Sequence, residues 1–217
     1  LNEFTRKAVK VLNDSQVNKK RIKENRIPAN AILCRDGGDR LPRFPQLREL
    51  YGLRFGSFVK MPIEKGIAFL TGMELISIPE STGHLDVDYA VWAKIALTSI
   101  SEYDGIYIHI KNIDEVSHDG DFNKKKEIVE YIDKFFLANI LSGLNISDTI
   151  IAVTSAHSTV CTLKAHSSDP SPFLIAGGSI KPDKVAVFSE KAARSGGLGE
   201  IEATNIMSYL VRCARGE

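Results

Sequence analysis

The sequence has few cysteines, almost no net charge and no long apolar run, and each shortage excludes a class of protein. Its three cysteines, Cys34, Cys161 and Cys213, lie far apart, which favours a reducing cytoplasm over a disulfide framework. Lysine plus arginine (28) nearly equals aspartate plus glutamate (27), so a nucleic-acid partner is not expected. No segment approaches the roughly 18–20 apolar residues of a membrane-spanning helix, so no membrane partner is expected either.

Histidine is also scarce, but most of it is concentrated in one part of the chain. Four of the five histidines lie between residues 109 and 166. The alternation of Ile106, Ile108 and Ile110 predicts a buried strand. Asp114 and His118 follow the end of that strand, where α/β folds place their binding sites. The position of Asp114 and His118 therefore makes them candidate binding-site residues.

Two later segments bring further histidines to similar positions. Residues 149–153 are a β-branched run that predicts a second strand, His157 follows its end, and His166 comes nine residues later. Borderline metal ions such as zinc or manganese accept both imidazole and carboxylate. Asp114, His118, His157 and His166 are therefore candidate metal ligands. In the alternative, Asp114 and His118 merely cap a helix or pair on the surface, and spacing alone leaves both possibilities open.

Strands and helices alternate along the second part of the chain, which predicts an α/β fold with a mostly parallel sheet flanked by helices. The turn-rich segment 79–83 predicts a domain boundary, with residues 1–80 in a smaller α/β domain and 81–217 in the larger one. The predicted strands are 29–34, 57–59, 75–78, 106–110, 150–153 and 173–176. The predicted helices are 2–12, one opening at 62, 87–100, 123–141 and 202–212.

Two motifs imitate known binding loops but lack a required residue. The segment from Asp119 to Glu130 has the length of a calcium loop, but Lys124 stands where its sharp turn needs glycine. Asp121 is instead predicted to cap the helix that follows. The run 195–199, Ser-Gly-Gly-Leu-Gly, lacks the preceding strand and the third glycine of a dinucleotide loop. It is interpreted as a turn that helps to hold a phosphoryl group, or simply as a helix-entry loop.

The motifs, taken in order, resemble the archaeal type of cofactor-independent (2,3-bisphosphoglycerate-independent) phosphoglycerate mutase, a family of the alkaline phosphatase superfamily. The segments that carry the resemblance are Asp-x-x-x-His-Asp-Gly-Asp-Phe at 114–122, His-Ser-Thr at 157–159, Lys-Ala-His-Ser-x-Asp-Pro-x-Pro at 164–172 and the glycine run at 195–199. Near the start, Leu-Asn-Glu-Phe, Val-Asn-Lys-Lys-Arg, Pro-Ala-Asn and Leu-Cys-Arg look like the same family's inserted domain. The resemblance covers nearly the whole chain.

The resemblance implies an alkaline-phosphatase-like sheet preceded by part of an inserted substrate-binding domain. It also implies a cytoplasmic isomerase of glycolysis and gluconeogenesis that interconverts 3-phosphoglycerate and 2-phosphoglycerate through a phosphoserine. Two divalent ions (Mn²⁺, Zn²⁺, Co²⁺ or Mg²⁺) are implied. By the family pattern, Asp114, His118 and His166 would bind one ion, and His157 would contribute to the other.

The resemblance further implies that the glycerate is held by basic side chains. Arg35 lies beside two glycines and offers a bidentate guanidinium to a phosphate or carboxylate, although a surface arginine in a turn is the alternative. Arg21 and Lys65 are further substrate-binding candidates. Lys111 either faces the same cleft or pairs with a neighbouring carboxylate.

Two departures from the family pattern accompany these matches. The chain looks like the C-terminal half of such an enzyme, so the serine nucleophile and an early metal-binding aspartate are expected in a preceding segment. Ala156 stands where the family has the aspartate of an Asp-His pair, and alanine cannot ligate a metal. Two alternatives therefore stay open: another metal-dependent phosphoesterase of the same superfamily, or a non-catalytic metal-binding remnant.

Overall fold

The computed structural model describes residues 1–34 and 37–217, which form two compact units, Leu1–Arg43 and Phe44–Glu217. This division falls at a different place from the 80/81 boundary, so the assignment of 1–80 to an inserted domain stays a prediction. The helices are α1 Asn2–Asp14, α2 Gln16–Lys23, α3 Leu47–Tyr51, α4 Pro62–Thr71, α5 Leu85–Ser99, α6 Asn112–Asp119, α7 Phe122–Tyr131, α8 Ala138–Gly143, α9 Glu190–Ala193 and α10 Ile206–Arg215. The strands are β1 Phe55–Phe58, β2 Glu74–Leu75, β3 Gly105–Ile108, β4 Ile151–Thr154, β5 Ser158–Val160, β6 Ala165–Ser167 and β7 Phe173–Ala176.

The first unit is organised around the amide side chain of Asn18, on α2. This side chain is buried and donates to the carbonyls of Leu12 and Ala29, at 2.8 and 2.9 Å. Its oxygen also accepts from the Ala29 amide at 3.0 Å. The strand predicted for 29–34 is wrong, since these residues have no regular secondary structure. The backbone groups of Ala29 bond to the side chain of Asn18 and not to a neighbouring strand.

The second unit contains a parallel sheet in the order β2-β1-β3. Strand β2 is shorter than the predicted 75–78, whereas β1 and β3 lie close to the predicted positions. The buried face of this sheet packs against α5. Trp92 lies at the centre of that core, with edge contacts to Phe58 and Tyr89 at centroid distances of 6.2 and 5.4 Å. The expected α/β fold, with a parallel sheet and flanking helices, is confirmed.

Within the described residues, two antiparallel strand pairs complete the sheet structure, β4 with β7 and β5 with β6. The helix predicted for 123–141 is present, but its middle turn, Ile132–Leu137, is π-helical between α7 and α8. Asp121 caps α7 as predicted, since its carboxylate accepts from the Lys124 amide at 2.9 Å. Within the described residues, no helix is both long and apolar enough to cross a membrane.

Candidate metal centre

One helix and one β-hairpin bring the candidate ligands together. Asp114 and His118 lie one turn apart on α6, and the short hairpin β5–β6 packs against that helix. His166, on β6, lies opposite them. The Oδ1 atom of Asp114 is 3.5 Å from His118 Nε2 and 3.4 Å from His166 Nε2, and the two Nε2 atoms are 3.1 Å apart. Three potential donor atoms therefore converge on one point.

These distances fit the ligands of a single divalent ion. Bonds of about 2.0–2.1 Å in tetrahedral coordination put ligand atoms about 3.3–3.4 Å apart, which is close to the three distances observed. Two nitrogen lone pairs and a carboxylate oxygen repel one another at such separations unless a proton or a cation lies among them. The donor set of the Asp114–His118–His166 triangle is thus suited to zinc, manganese or a similar ion.

His157 lies beside this triangle. Its ring stacks on that of His166 with 3.7 Å between centroids, and the ligand atoms of Asp114, His157 and His166 all lie within 4.8 Å of one another. All four predicted ligands are thus neighbours. The neighbouring position 156 carries only the methyl group of alanine, which cannot ligate a metal.

The charges of these groups favour a cation. Partial burial raises the pKa of Asp114, but hydrogen bonds from Lys111 and Thr159 outweigh it and hold that pKa well below its usual range. Burial and the neighbouring His166 lower the pKa of His157. Metal binding requires an ionised carboxylate and a neutral imidazole, so both shifts have the sign that a metal site needs.

A close backbone approach fixes the hairpin against α6. Gly120 ends the helix with φ +80°, and a Cβ there would lie 2.7 Å from Lys164 Cε and 3.2 Å from the Cys161 carbonyl. Lys164 itself has φ +51°, an uncommon conformation for a residue with a side chain. This turn directs the Lys164 carbonyl to His118 Nδ1, at 3.0 Å. A carbonyl can only accept, so the proton of a neutral His118 lies on Nδ1 and its Nε2 is free to bind a metal.

Comparisons with known proteins decide the family. The sequence profile of the Metalloenzyme superfamily matches residues 12–212. The chain belongs to the Metalloenzyme superfamily. Members of such a superfamily bind divalent metal ions, which agrees with the arrangement of Asp114, His157 and His166.

Individual relatives within the superfamily confirm the resemblance to archaeal mutases. The chain is 34% identical over 212 residues to the 2,3-bisphosphoglycerate-independent phosphoglycerate mutase of Thermococcus kodakarensis, covering 97% of this chain and 51% of the relative. It is 35% identical over 215 residues to the mutase of Methanosphaera stadtmanae, again covering 51% of the relative. The chain thus spans about half the length of the curated relatives it matches.

Solved structures support the same fold. A Pyrococcus horikoshii protein matches with a TM-score of 0.84 at 30% identity, covering all of this chain and 56% of the other. The cofactor-independent phosphoglycerate mutase of Thermoplasma acidophilum matches with a TM-score of 0.61 at 26% identity, covering 98% of this chain and 50% of the other.

The candidate substrate-binding residues of this superfamily member lie on different elements of the two units. Lys111 ends next to the cluster, where its ammonium group binds the second oxygen of Asp114. Lys65 is exposed on α4 and lines a groove of about 440 Å³ beside β2. Arg21 lies in the first unit and donates to the Ile27 carbonyl at 2.8 Å. Arg35 lies outside the described residues.

Sequence reasoning missed Thr159. Its hydroxyl donates to Asp114 Oδ1 at 2.7 Å and lies 3.1 Å from His157 Nδ1. Strand β5 has only three residues, Ser158–Val160, so its alternation gave no recognisable signal for Thr159 in the sequence. The contact of the Lys164 carbonyl with His118 Nδ1 was also missed. A main-chain carbonyl is present in every residue, so no side-chain pattern could have revealed it.

Proposed function

We propose that this chain is part of a 2,3-bisphosphoglycerate-independent phosphoglycerate mutase that interconverts 3-phosphoglycerate and 2-phosphoglycerate. The observation that carries the proposal is the triangle of Asp114, His118 and His166 with His157 beside it, in a chain similar to mutases over nearly its full length. The activity would belong to the cytoplasmic reactions of glycolysis and gluconeogenesis.

In this proposal Asp114, His118 and His166 hold one divalent ion, Mn²⁺, Zn²⁺, Co²⁺ or Mg²⁺. His157 contributes to a second ion, together with groups from outside this chain. Such ions neutralise charge on a transferring phosphoryl group and activate the nucleophile. Lys111 keeps Asp114 ionised and oriented through their hydrogen bond.

The phosphoryl acceptor in this proposal is a serine outside this chain, and the reaction passes through a phosphoserine. Phosphoglycerate has a carboxylate and a phosphate, which basic side chains bind well. Lys111, Lys65, Arg21 and Arg35 are proposed for that role, with the last three in the substrate-binding part. Their cationic groups would retain the glycerate and limit water access while the phosphoserine exists.

One observation favours a second candidate, a non-catalytic metal-binding protein. Ala156 removes a carboxylate from the position next to His157, and a two-ion reaction cannot proceed if one ion is not held. The two candidates share the first metal site and differ only at the second.

Two measurements test the proposal. Titration of Mn²⁺ or Zn²⁺ into the purified chain should show one bound ion. The full-length parent protein, assayed with 3-phosphoglycerate, should form 2-phosphoglycerate if the mutase proposal is right. Binding of one ion without turnover in the full-length protein would favour the non-catalytic candidate, and the absence of any bound ion would refute both.

A further inference from the structure

A single hydroxyl group connects two of the candidate ligands. Thr159 is 6% exposed, and its Oγ1 lies 2.7 Å from Asp114 Oδ1 and 3.1 Å from His157 Nδ1. An ionised carboxylate can only accept hydrogen bonds, so the one hydroxyl proton points to Asp114. The oxygen then has only lone pairs to offer to His157. A hydrogen bond at this distance therefore requires that His157 carry its ring proton on Nδ1.

We propose that Thr159 is a positioning residue whose hydroxyl orients Asp114 and holds His157 in the Nδ1-protonated tautomer, leaving His157 Nε2 free to bind a divalent cation. The proposal rests on the metal-binding part of the proposed function. Groups that fix the tautomer of a metal-binding histidine also fix its ring orientation, and their loss weakens metal affinity.

The backbone around Thr159 is held in place from two sides. Thr159 is paired with His166 in the β5–β6 register. Its carbonyl accepts from Lys125 Nζ, on α7, at 2.7 Å. The backbone that carries the hydroxyl is thus held both by β6 and by α7. A buried threonine that only filled space would not need to be aligned with two candidate ligands at once.

The arrangement resembles that at His118 but differs in one respect. The Lys164 carbonyl at His118 Nδ1 is a fixed acceptor. The Thr159 hydroxyl can rotate and reverse its polarity, so it acts as an acceptor toward His157 only while Asp114 takes its proton. The tautomer of His157 is therefore coupled to the presence of the Asp114 carboxylate, through Thr159.

Three variants separate positioning from packing. Thr159→Val keeps the shape and the β-branching of threonine but removes the hydroxyl. Thr159→Ser keeps the hydroxyl. Ser158→Ala removes a hydroxyl from the adjacent hairpin residue, whose side chain points to the opposite face of the strand, and serves as the matched control.

Two readouts apply to each variant. Affinity for Zn²⁺ is measured by calorimetric titration, and the His157 tautomer is read in the metal-free chain from long-range ¹H–¹⁵N NMR correlations at a pH where the imidazoles are neutral. Thr159→Val should bind Zn²⁺ about 10–100-fold more weakly and lose the preference for the Nδ1 proton. Thr159→Ser and Ser158→Ala should stay near the wild type in both.

Three results would overturn the proposal. The first is a folded Thr159→Val protein with wild-type affinity and an unchanged tautomer. The second is a wild-type His157 that carries its proton on Nε2 in the metal-free chain, a result that needs no variant to fold. The third is an equal loss in Ser158→Ala, which would indicate a general effect on the hairpin. A full-length protein without mutase activity would leave both readouts, Zn²⁺ affinity and the His157 tautomer, valid. If the wild-type chain binds no ion, the His157 tautomer alone tests the role of Thr159.

Discussion

Replacing His118 by alanine removes one corner of the candidate ligand triangle with little effect on folding. The His118 side chain is 43% exposed, and its ring nitrogens contact the Lys164 carbonyl, His166 and Asp114. Loss of an ordinary hydrogen bond costs about 0.5–1.5 kcal/mol, and less where water replaces the partner. The variant should therefore fold, and a change in metal binding can be assigned to the lost ligand.

The expected loss of affinity follows from the geometry. Structural zinc sites with four ligands bind with about 10–16 kcal/mol of apparent free energy. A quarter of this is roughly 2.5–4 kcal/mol, which corresponds to an affinity about 10²–10³-fold lower at about 1.4 kcal/mol for each factor of ten. Because His118 Nε2 is within 3.5 Å of both other donors, it should contribute as a full ligand.

The assay is calorimetric titration of Zn²⁺ and Mn²⁺ into the wild type, His118→Ala and His84→Ala. His84 is an exposed histidine at the start of α5 and is not one of the predicted ligands, so its replacement controls for the loss of an imidazole. His84→Ala should bind like the wild type. Equal affinity in all three proteins would refute the assignment of His118 as a ligand.

The remaining predictions concern activity, the second ion and pH. The chain alone should show no turnover of 3-phosphoglycerate in a coupled assay with Mn²⁺, and a rate of roughly 1 per second or more would contradict the proposed need for outside groups. In the full-length protein, Ala156→Asp should raise both the number of bound ions and the mutase rate, since a carboxylate adds charge and a hard oxygen ligand. If the alanine form binds two ions and turns over equally fast, position 156 is not a ligand. Burial raises the pKa of Asp88, but hydrogen bonds from Ser81 and Thr82 outweigh that effect, so the pKa lies below its ordinary value. Its contribution to stability is therefore complete above the unfolded pKa of about 3.9 and is lost as pH falls through the folded pKa. Urea unfolding from pH 7 to 3 should show a smaller loss of stability in Asp88→Asn than in the wild type, and an identical pH dependence would disprove this role of Asp88.

The sequence predicted the parts of the fold that have strong local patterns. The apolar alternation before Asp114 marked β3, and the helix predicted for 87–100 is present as α5. Asp121 was recognisable as a cap because a short acidic side chain before a helix accepts from free amides. These features depend on neighbouring residues, which the sequence displays directly.

The hairpin that completes the candidate site could not be predicted in this way. Strands β5 and β6 have three residues each, too few for a period-2 pattern to be recognised. Their connecting turn uses Lys164 at φ +51° rather than glycine or asparagine, so the usual turn signal is missing. The histidines were therefore identified as candidate ligands without the element that holds His157 and His166. The distance between these rings and Asp114 depends on tertiary packing.

The irregular segment 29–34 is a different case. Its apolar residues satisfied the pattern of a strand, but the pattern does not reveal what binds the backbone. The side chain of Asn18 takes both backbone groups of Ala29, which a strand partner would otherwise use. A side chain eleven residues away thus decided the local structure, and strand propensity alone carries no information about it.

The central claim is that Asp114, His118 and His166 bind one divalent ion. Anomalous diffraction from crystals of the chain grown with Zn²⁺ tests it most directly. The claim predicts one anomalous peak about 2.0–2.2 Å from Asp114 Oδ1, His118 Nε2 and His166 Nε2. The claim would be contradicted if the Zn²⁺ ion were bound by other residues, or if no peak lay among these three side chains at saturating Zn²⁺.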